Sequence, residues 1–367
     1  MILLLLLSMS GVGLNSFLSV SNVAMSFLIM KYAVSGKYSI KKIAWSFSII
    51  LLFYLTDALH VNFNVIYAAA KIFFVLAIAG LYVHFKNKGV KDFGAGLIFM
   101  LVMLVVEMIF KINNLPFFQF LYFDRPDYDP TYLDTIFRMR GFAGESGNLA
   151  AFVNTLYVIA VIKEPNKFGM YTLITAICHA LLVSLAGVVI FVVTTISLAA
   201  FRYGFLVVLI MGVWLLIAFE WMPSSGIEYF GIFYDALLLK LMNYEDGSAG
   251  DRLSNYQEAI AVFKAHPVGV GAGNFNGSGG IGIISLPLKI LVENGLIMFI
   301  FLLGNIAAVF IKRVTIARSI LAFVIFAHAS IMGNILLPYF ILGLAVFIYL
   351  GDSRATELSW KSDGVLS

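Results

Sequence analysis

The chain has 367 residues, of which 61% are hydrophobic and only 12% charged. That balance excludes an ordinary soluble globular domain and is the composition of a membrane protein. The formal net charge of +4 says little by itself; no nucleic-acid partner is expected, and the positions of the charges matter more than their sum.

Apolar runs close to the ~20 residues that a helix needs to cross a bilayer recur along the whole chain, separated by polar loops. They are continuous and do not alternate in and out, which excludes a membrane barrel. The opening MILLLLLSMSGVG lacks the basic segment of a signal peptide and is expected to remain as membrane helix. The first thirty residues are long for one upright helix and short for two, and Gly11, Gly13 and Asn15 mark a candidate break. Further spans are expected near 44–60, 65–84, 94–111, 148–162, 169–185, 187–201, 204–219, 286–311, 319–331 and 336–350. The fold class is therefore all-α: one polytopic membrane domain over 1–367, with about eleven or twelve transmembrane helices. No internal repeat of the inverted-transporter kind is visible. The single cysteine, Cys178, lies inside an apolar run, so neither a disulfide framework nor a Cys-based metal site is expected.

Lys and Arg cluster at 31–42, 85–91, 163–167, Arg202, 312–318 and in the tail, and the positive-inside rule places these segments in the cytoplasm. Acidic residues collect in the two long loops, about 112–147 and 220–285, which are then extracytoplasmic. Loops of that length in a chain of otherwise short connections usually carry function. The first ends in FRMRGFAGESGN, which sets Arg138 and Arg140 at the outer membrane boundary. Their alternatives are binding of a phosphate-bearing group and snorkelling to lipid phosphates.

The second loop holds DRLSNYQEAIAVFKAHPVGVGAGNFNGSGG. A surface helix is expected over 252–265, with Leu253, Tyr256, Ile260 and Phe263 on one stripe, a cap at Ser248 or Asp251, and Pro267 as its end. Arg252 then falls in the first turn, where the helix dipole disfavours a cation. It either pairs with Asp251 or Glu258, or holds an anion. The Gly-rich run beyond it is neither a P-loop nor a dinucleotide-binding turn; its alternatives are a main-chain surface for a polar ligand and a mobile linker.

No pair among His60, His84, His179, His266 and His328 has ligand spacing, and no metal or cofactor is expected. His266 alone stands in an outer loop; the other four are expected to be structural. Lys71, Glu107 and Asp57 fall within apolar spans and need partners, an intramembrane ion path being the functional alternative.

Three blocks, in this order, resemble the O-antigen polymerase and ligase superfamily, membrane enzymes that act on undecaprenyl-diphosphate-linked glycans. RMRGFAGESGNLAAF is similar to the family's Arg-x-x-Gly block, through Arg138, Gly141 and Glu145. DRLSNYQEAIAVFKAHPVGVGAG resembles its Arg-led outer helix and Gly-rich turn, through Arg252, Pro267, Gly269, Gly271 and Gly273. LKILVENGLIMFIFLL resembles the helix start that follows, with Glu293 and Gly295 in place. Two departures stand out: Ser146 replaces the usual Pro, and Ile284 and Ser285 stand where the ligases carry a His-Asn pair, which tilts the reading toward a polymerase.

The resemblance implies a GT-C-like helical fold in the bacterial inner membrane and a metal-independent, inverting glycosyl transfer at its periplasmic face. Arg138, Arg140 and Arg252 are the implied diphosphate ligands, since a guanidinium binds phosphate bidentately and keeps its charge. Glu145 and His266 are the candidate bases, and Tyr256, Gly269, Gly271, Gly273 and Glu293 the substrate-binding loop. Implied partners are the lipid-linked glycan, membrane lipids, a chain-length regulator and a flippase. Competing readings are an O-antigen ligase, a flippase or transporter of lipid-linked saccharide, and a structural membrane protein; a transporter is expected to carry its ionisable groups through the bilayer.

The charge distribution predicts a topology that can be read directly. With Cys178 replaced, a cysteine at Ser248 should react with a membrane-impermeant thiol reagent in intact spheroplasts. Labelling only after lysis reverses the assignment.

Overall fold

In an apolar solvent a helix satisfies the main-chain polar groups of its interior by itself, and the apolar runs of this sequence fold accordingly. The computed structural model describes residues 1–10, 12, 19–35, 65–113, 139–143, 145–204, 248–271, 273–275, 285–311, 313–332 and 337–352, with the main chain alone at 65–68 and 248–253. These residues form α1 (Ile2–Ser8), α2 (Val20–Val34), α3 (Val65–Lys88), α4 (Phe93–Ile112), α5 (Ser146–Lys163), α6 (Phe168–Leu182), α7 (Leu185–Tyr203), α8 (Ser248–Ala265), α9 (Leu286–Ile311), α10 (Ile316–Ala329) and α11 (Pro338–Asp352). The architecture is all-helical. Five of the helices are long and apolar enough to cross a bilayer: α3 from Ala69, α4, α5, α7 and α9. This is the make-up of a multi-pass membrane protein. The span expected at 44–60, and all but the first residue of that at 204–219, lie outside the described residues.

Among the described residues, the first thirty contribute to two helices. The seven-residue α1 ends at Ser8, and the amide of Val20 donates to the carbonyl of Val12 at 2.8 Å before α2 begins.

Contacts divide the chain into two units, each built from two separate stretches: residues 1–20 with 92–249, and residues 21–91 with 250–367. In the first unit α5 is central, packed by α4, α6 and α7, and it is buried on every side from Leu149 to Ile162. A helix apolar all round belongs inside a bundle, so its sequence shows no face. Side-chain hydrogen bonds tie its few polar residues to neighbours. Asn154 donates to the carbonyl of Gly187 at 3.0 Å, and its Oδ1 accepts from His179 Nε2 at 2.7 Å. The Tyr157 hydroxyl is 2.9 Å from Thr172 Oγ1 and 3.2 Å from Thr195 Oγ1. At the end of α5, Lys167 (2.6 Å) and the Tyr171 hydroxyl (2.7 Å) hold the Glu164 carboxyl below its ordinary value.

In the second unit α11 packs on α3 and α10. The Tyr82 hydroxyl donates to Asp352 at 2.6 Å, and Tyr32 bonds His84 Nδ1 at 3.0 Å. The histidines at 84, 179 and 328 are all held within helices; His179 and His328 are buried, the latter beside the Tyr339 ring at 5.8 Å. His60 lies outside the described residues.

Arg318, one of the charges that assigned a cytoplasmic loop, is buried. Its guanidinium donates to the carbonyls of Val309 (2.8 Å), Phe310 (3.3 Å) and Arg313, and lies 4.3 Å from the centre of the Phe347 ring. Val309 and Phe310 belong to the last turn of α9, where a helix runs out of its own donors, and Arg313 lies just beyond it, so Arg318 caps the end of α9 and ties it to α10 and α11. Arg318→Ala should lower stability by about 1–3 kcal/mol for each carbonyl left dry, read as loss of the monodisperse peak after heating in detergent. A peak as heat-resistant as wild type would show the carbonyls to be hydrated already.

Candidate functional site

The segment that carries Arg140 is an anchored turn between helices of the first unit. Glu107, buried near the end of α4, accepts the main-chain N–H of Arg140 on both oxygens (3.2 and 3.0 Å) and that of Gly141 on Oε2 (2.7 Å). Lys111, one turn along α4, stands 3.7 Å from Oε1. On the other side the amide of Met139 donates to the carbonyl of Leu181 at the end of α6, at 2.9 Å, and that of Ala143 to Arg140 at 3.1 Å. Hydrogen bonds to a charged acceptor contribute about 1.5–3 kcal/mol each, enough to fix a five-residue turn.

Gly141 is required by this arrangement. Its φ is +55°, and a Cβ there would lie 2.2 Å from Met103 Cε and 2.8 Å from Leu149 Cδ2. The turn is thus wedged between α4 and α5, with Met139 and Ala143 buried and Arg140 half-buried. Glu145 follows in extended conformation as the N-cap of α5. Its side chain makes no capping bond and is exposed. Arg138 lies outside the described residues.

The second constellation is built around a break in α9. At Gly295 the main chain leaves helical geometry (φ 79°, ψ 175°). The loop after α8 fills the gap: the amides of Val270 and Gly271 donate to the carbonyls of Val292 and Glu293 at 2.9 Å each, and that of Leu296 donates to Pro267 at 3.0 Å. The groups that the broken helix loses are answered by the Gly-rich loop. Such contact needs two bare backbones. A Cβ on Gly269 would lie 2.6 Å from the Glu293 carbonyl, and one on Gly295 only 2.2 Å from that of Val268.

Glu293, buried, completes the join by accepting the Gly273 amide at 3.1 Å, with Lys289 4.0 Å away. The Gly-rich loop is thus no mobile linker where it is described, and the amides of Val270, Gly271 and Gly273 are taken by α9 and cannot cradle a ligand.

Helix α8 runs Ser248–Ala265, so Ser248 and Asp251 lie inside it and neither is its cap. Arg252 is the fifth residue of the described helix, beyond the first turn where the dipole argument applies. The inward stripe is also rotated from the expected one. Ala259 is buried against Phe275 and Val292, with Val262 and Phe263 beside them, whereas Ile260 is 44% exposed. Small Ala259 is the residue that the helix buries against Phe275 and Val292, which a count of large apolar residues does not register. Tyr256 donates its hydroxyl to the carbonyl of Ser330 at the end of α10. His266 stands exposed just beyond the last helical turn, its amide bonded to Val262 at 2.9 Å.

The structure therefore joins Gly269, Gly271, Gly273, Glu293 and Gly295 in one element, with Tyr256 and His266 on the helix that leads into it. It ties Arg140 to Glu107, which lay outside the expected site. The available signal was the cost of a carboxylate in an apolar span, which demands a partner. Among the described residues, no three His, Cys, Asp or Glu side chains converge as a metal site. No protein-family model, curated protein or solved structure matches this chain.

The interlocked glycines make a sharp test. Gly295→Ala and Gly269→Ala should each separate loop from helix and lower the yield of folded protein severely, whereas Gly304→Ala on the same helix, with nothing within 4 Å of the added carbon, should be neutral or better. Equal yields from all three variants would show that the break tolerates a side chain.

Proposed function

We propose that this chain is a polymerase of undecaprenyl-diphosphate-linked oligosaccharide repeat units, for O-antigen, capsule or exopolysaccharide, working at the outer face of the bacterial cytoplasmic membrane. The observation that carries the reading is the anchored turn. Arg140, in the Arg-x-x-Gly block, is held half-buried where α4, α5 and α6 meet, instead of trailing as a surface charge. The order of the three sequence blocks supports the same reading.

In this mechanism a hydroxyl oxygen of the acceptor sugar attacks the anomeric carbon of the donor. The carbon–oxygen bond to the diphosphate breaks, the hydroxyl proton passes to a base, and the lipid diphosphate leaves. Arginine stabilises the negative charge that grows on the leaving group, which needs donors already in place. Arg140 supplies one guanidinium, and Arg138, two residues before it in the same block, a second. Glu145, exposed at the head of α5, and His266, exposed just beyond α8, are the candidate bases. The part of Arg252 rests on the resemblance and is decided by substitution.

The test is the ladder of polymer lengths made by a strain lacking its own copy. Arg140→Lys and Arg252→Lys keep the charge but lose the planar fork, so each should cost on the order of 3 kcal/mol, roughly a hundredfold in rate, at normal levels of inserted protein. A normal ladder from both variants refutes the assignment. Loss of polymer attachment to lipid A core, with the ladder intact on its lipid carrier, makes the protein a ligase.

A further inference from the structure

Among the described residues of the first unit Glu107 is the most buried charge, and the mechanism above makes no use of it. Only 2% of the residue is exposed. Its two oxygens receive three main-chain hydrogen bonds, from Arg140 and Gly141, and Lys111 stands beside Oε1 at 3.7 Å. A carboxylate so engaged has few lone pairs left, which rules it out as a base for a sugar hydroxyl. Lys111 and the Arg140 guanidinium both act on the carboxylate as opposite charges, Lys111 the more strongly, but the hydrogen bonds from Arg140 to Glu107 run through its main chain. What Glu107 controls is the path of the backbone that carries the arginine.

Stability alone gives weak cause for such a group, since a buried charge costs desolvation and an apolar residue of similar volume often does as well or better. A carboxylate is the side chain that can accept two successive main-chain N–H groups at once, and those are the N–H groups of the arginine and of the glycine whose φ of +55° lets the chain turn.

We propose that Glu107 is a positioning residue, whose carboxylate fixes the main chain of Arg140 and Gly141 and thereby aims the Arg140 guanidinium at a lipid-borne diphosphate. The inference rests on the function proposed above and adds to it a residue 33 positions away in the chain. Misplacement of a charge-assisted donor by about 1 Å is costly to a preorganised site, so loosening the turn weakens the grip on the ligand without removing the charge.

The experiment uses the full-length protein in nanodiscs of phosphatidylethanolamine and phosphatidylglycerol, so that ordinary headgroups are present throughout, and titrates undecaprenyl diphosphate and undecaprenyl monophosphate. Glu107→Gln keeps the volume but turns one acceptor into an NH2 group facing N–H donors. It should weaken diphosphate binding at least tenfold and monophosphate binding less. Cys178, buried in the same unit, reports the fold: its thiol should become reactive to dye at a temperature within a few degrees of wild type. Arg140→Ala should weaken binding to a similar extent, and the double variant should be no weaker than Arg140→Ala alone, because both act on one contact.

Binding by Glu107→Gln within twofold of wild type, or losses that add in the double variant, overturns the proposal. If Glu107→Gln exposes Cys178 at low temperature, Glu107→Asp, which keeps the charge but draws the oxygens back by one methylene, is judged by the same criteria; early exposure in both makes Glu107 a stability residue and ends the proposal. Wild-type protein that binds the diphosphate but extends no chain removes the polymerase reading and leaves Glu107 to be judged on binding. Wild-type protein that binds no diphosphate removes both.

Discussion

A main chain that leaves helical geometry among membrane helices finds little water, so another part of the protein must answer each exposed N–H and C=O. Three places in this chain meet that demand in three ways. A glutamate side chain receives the amides of the turn at Arg140. A second stretch of backbone replaces the helical bonds lost at Gly295. An arginine side chain covers the carbonyls at the end of α9. The first two lie in the segments that carry the candidate chemistry, so the irregular backbone there is held as firmly as the helices around it.

This constraint also explains the kinds of residue used. A buried carboxylate can accept several amides and a guanidinium can serve several carbonyls, so each charge stands in for what would otherwise need several polar groups. Glycine serves where backbone itself must supply the partner, because the main chains of the loop and of α9 approach within the space of a methyl group. Charge and absent side chain solve the same problem from opposite directions.

Much of the helical frame was legible from the sequence. The run expected at 286–311 is the helix Leu286–Ile311, and the runs near 94–111 and 148–162 fall within two residues of α4 and α5. Apolar length carries that information, since a bilayer fixes how long a helix must be. The break within α9 was not legible: apolar composition continues through Gly295 unchanged, and only the partner loop makes a broken helix tolerable. On the inward face of α8, Phe263 packs as expected, but Ala259 takes the place expected of Ile260, because a small buried alanine outweighs an exposed isoleucine in packing. Glu107 was legible as a charge in need of a partner, but not which partner, because main-chain amides leave no mark in a sequence. Of the candidate site, the resemblance picked out Gly269, Gly271 and Gly273 in one block and Glu293 and Gly295 in the next, and the geometry joins the two blocks in one packed element.

The break at Gly295 also sets a length. Only Leu296–Ile311 remains as uninterrupted helix beyond it, which at 1.5 Å per residue is about 24 Å, against a hydrocarbon core of about 30 Å. If that stretch is the part of α9 that crosses, its flank, with Ile297, Ile300 and Leu303 exposed, is too short for an ordinary bilayer. The surrounding lipid must thin, or the break must lie below the headgroups. In either case, mismatch between protein and membrane is concentrated beside the loop that joins α8 to α9, so the thickness of the host membrane bears directly on the geometry of that loop.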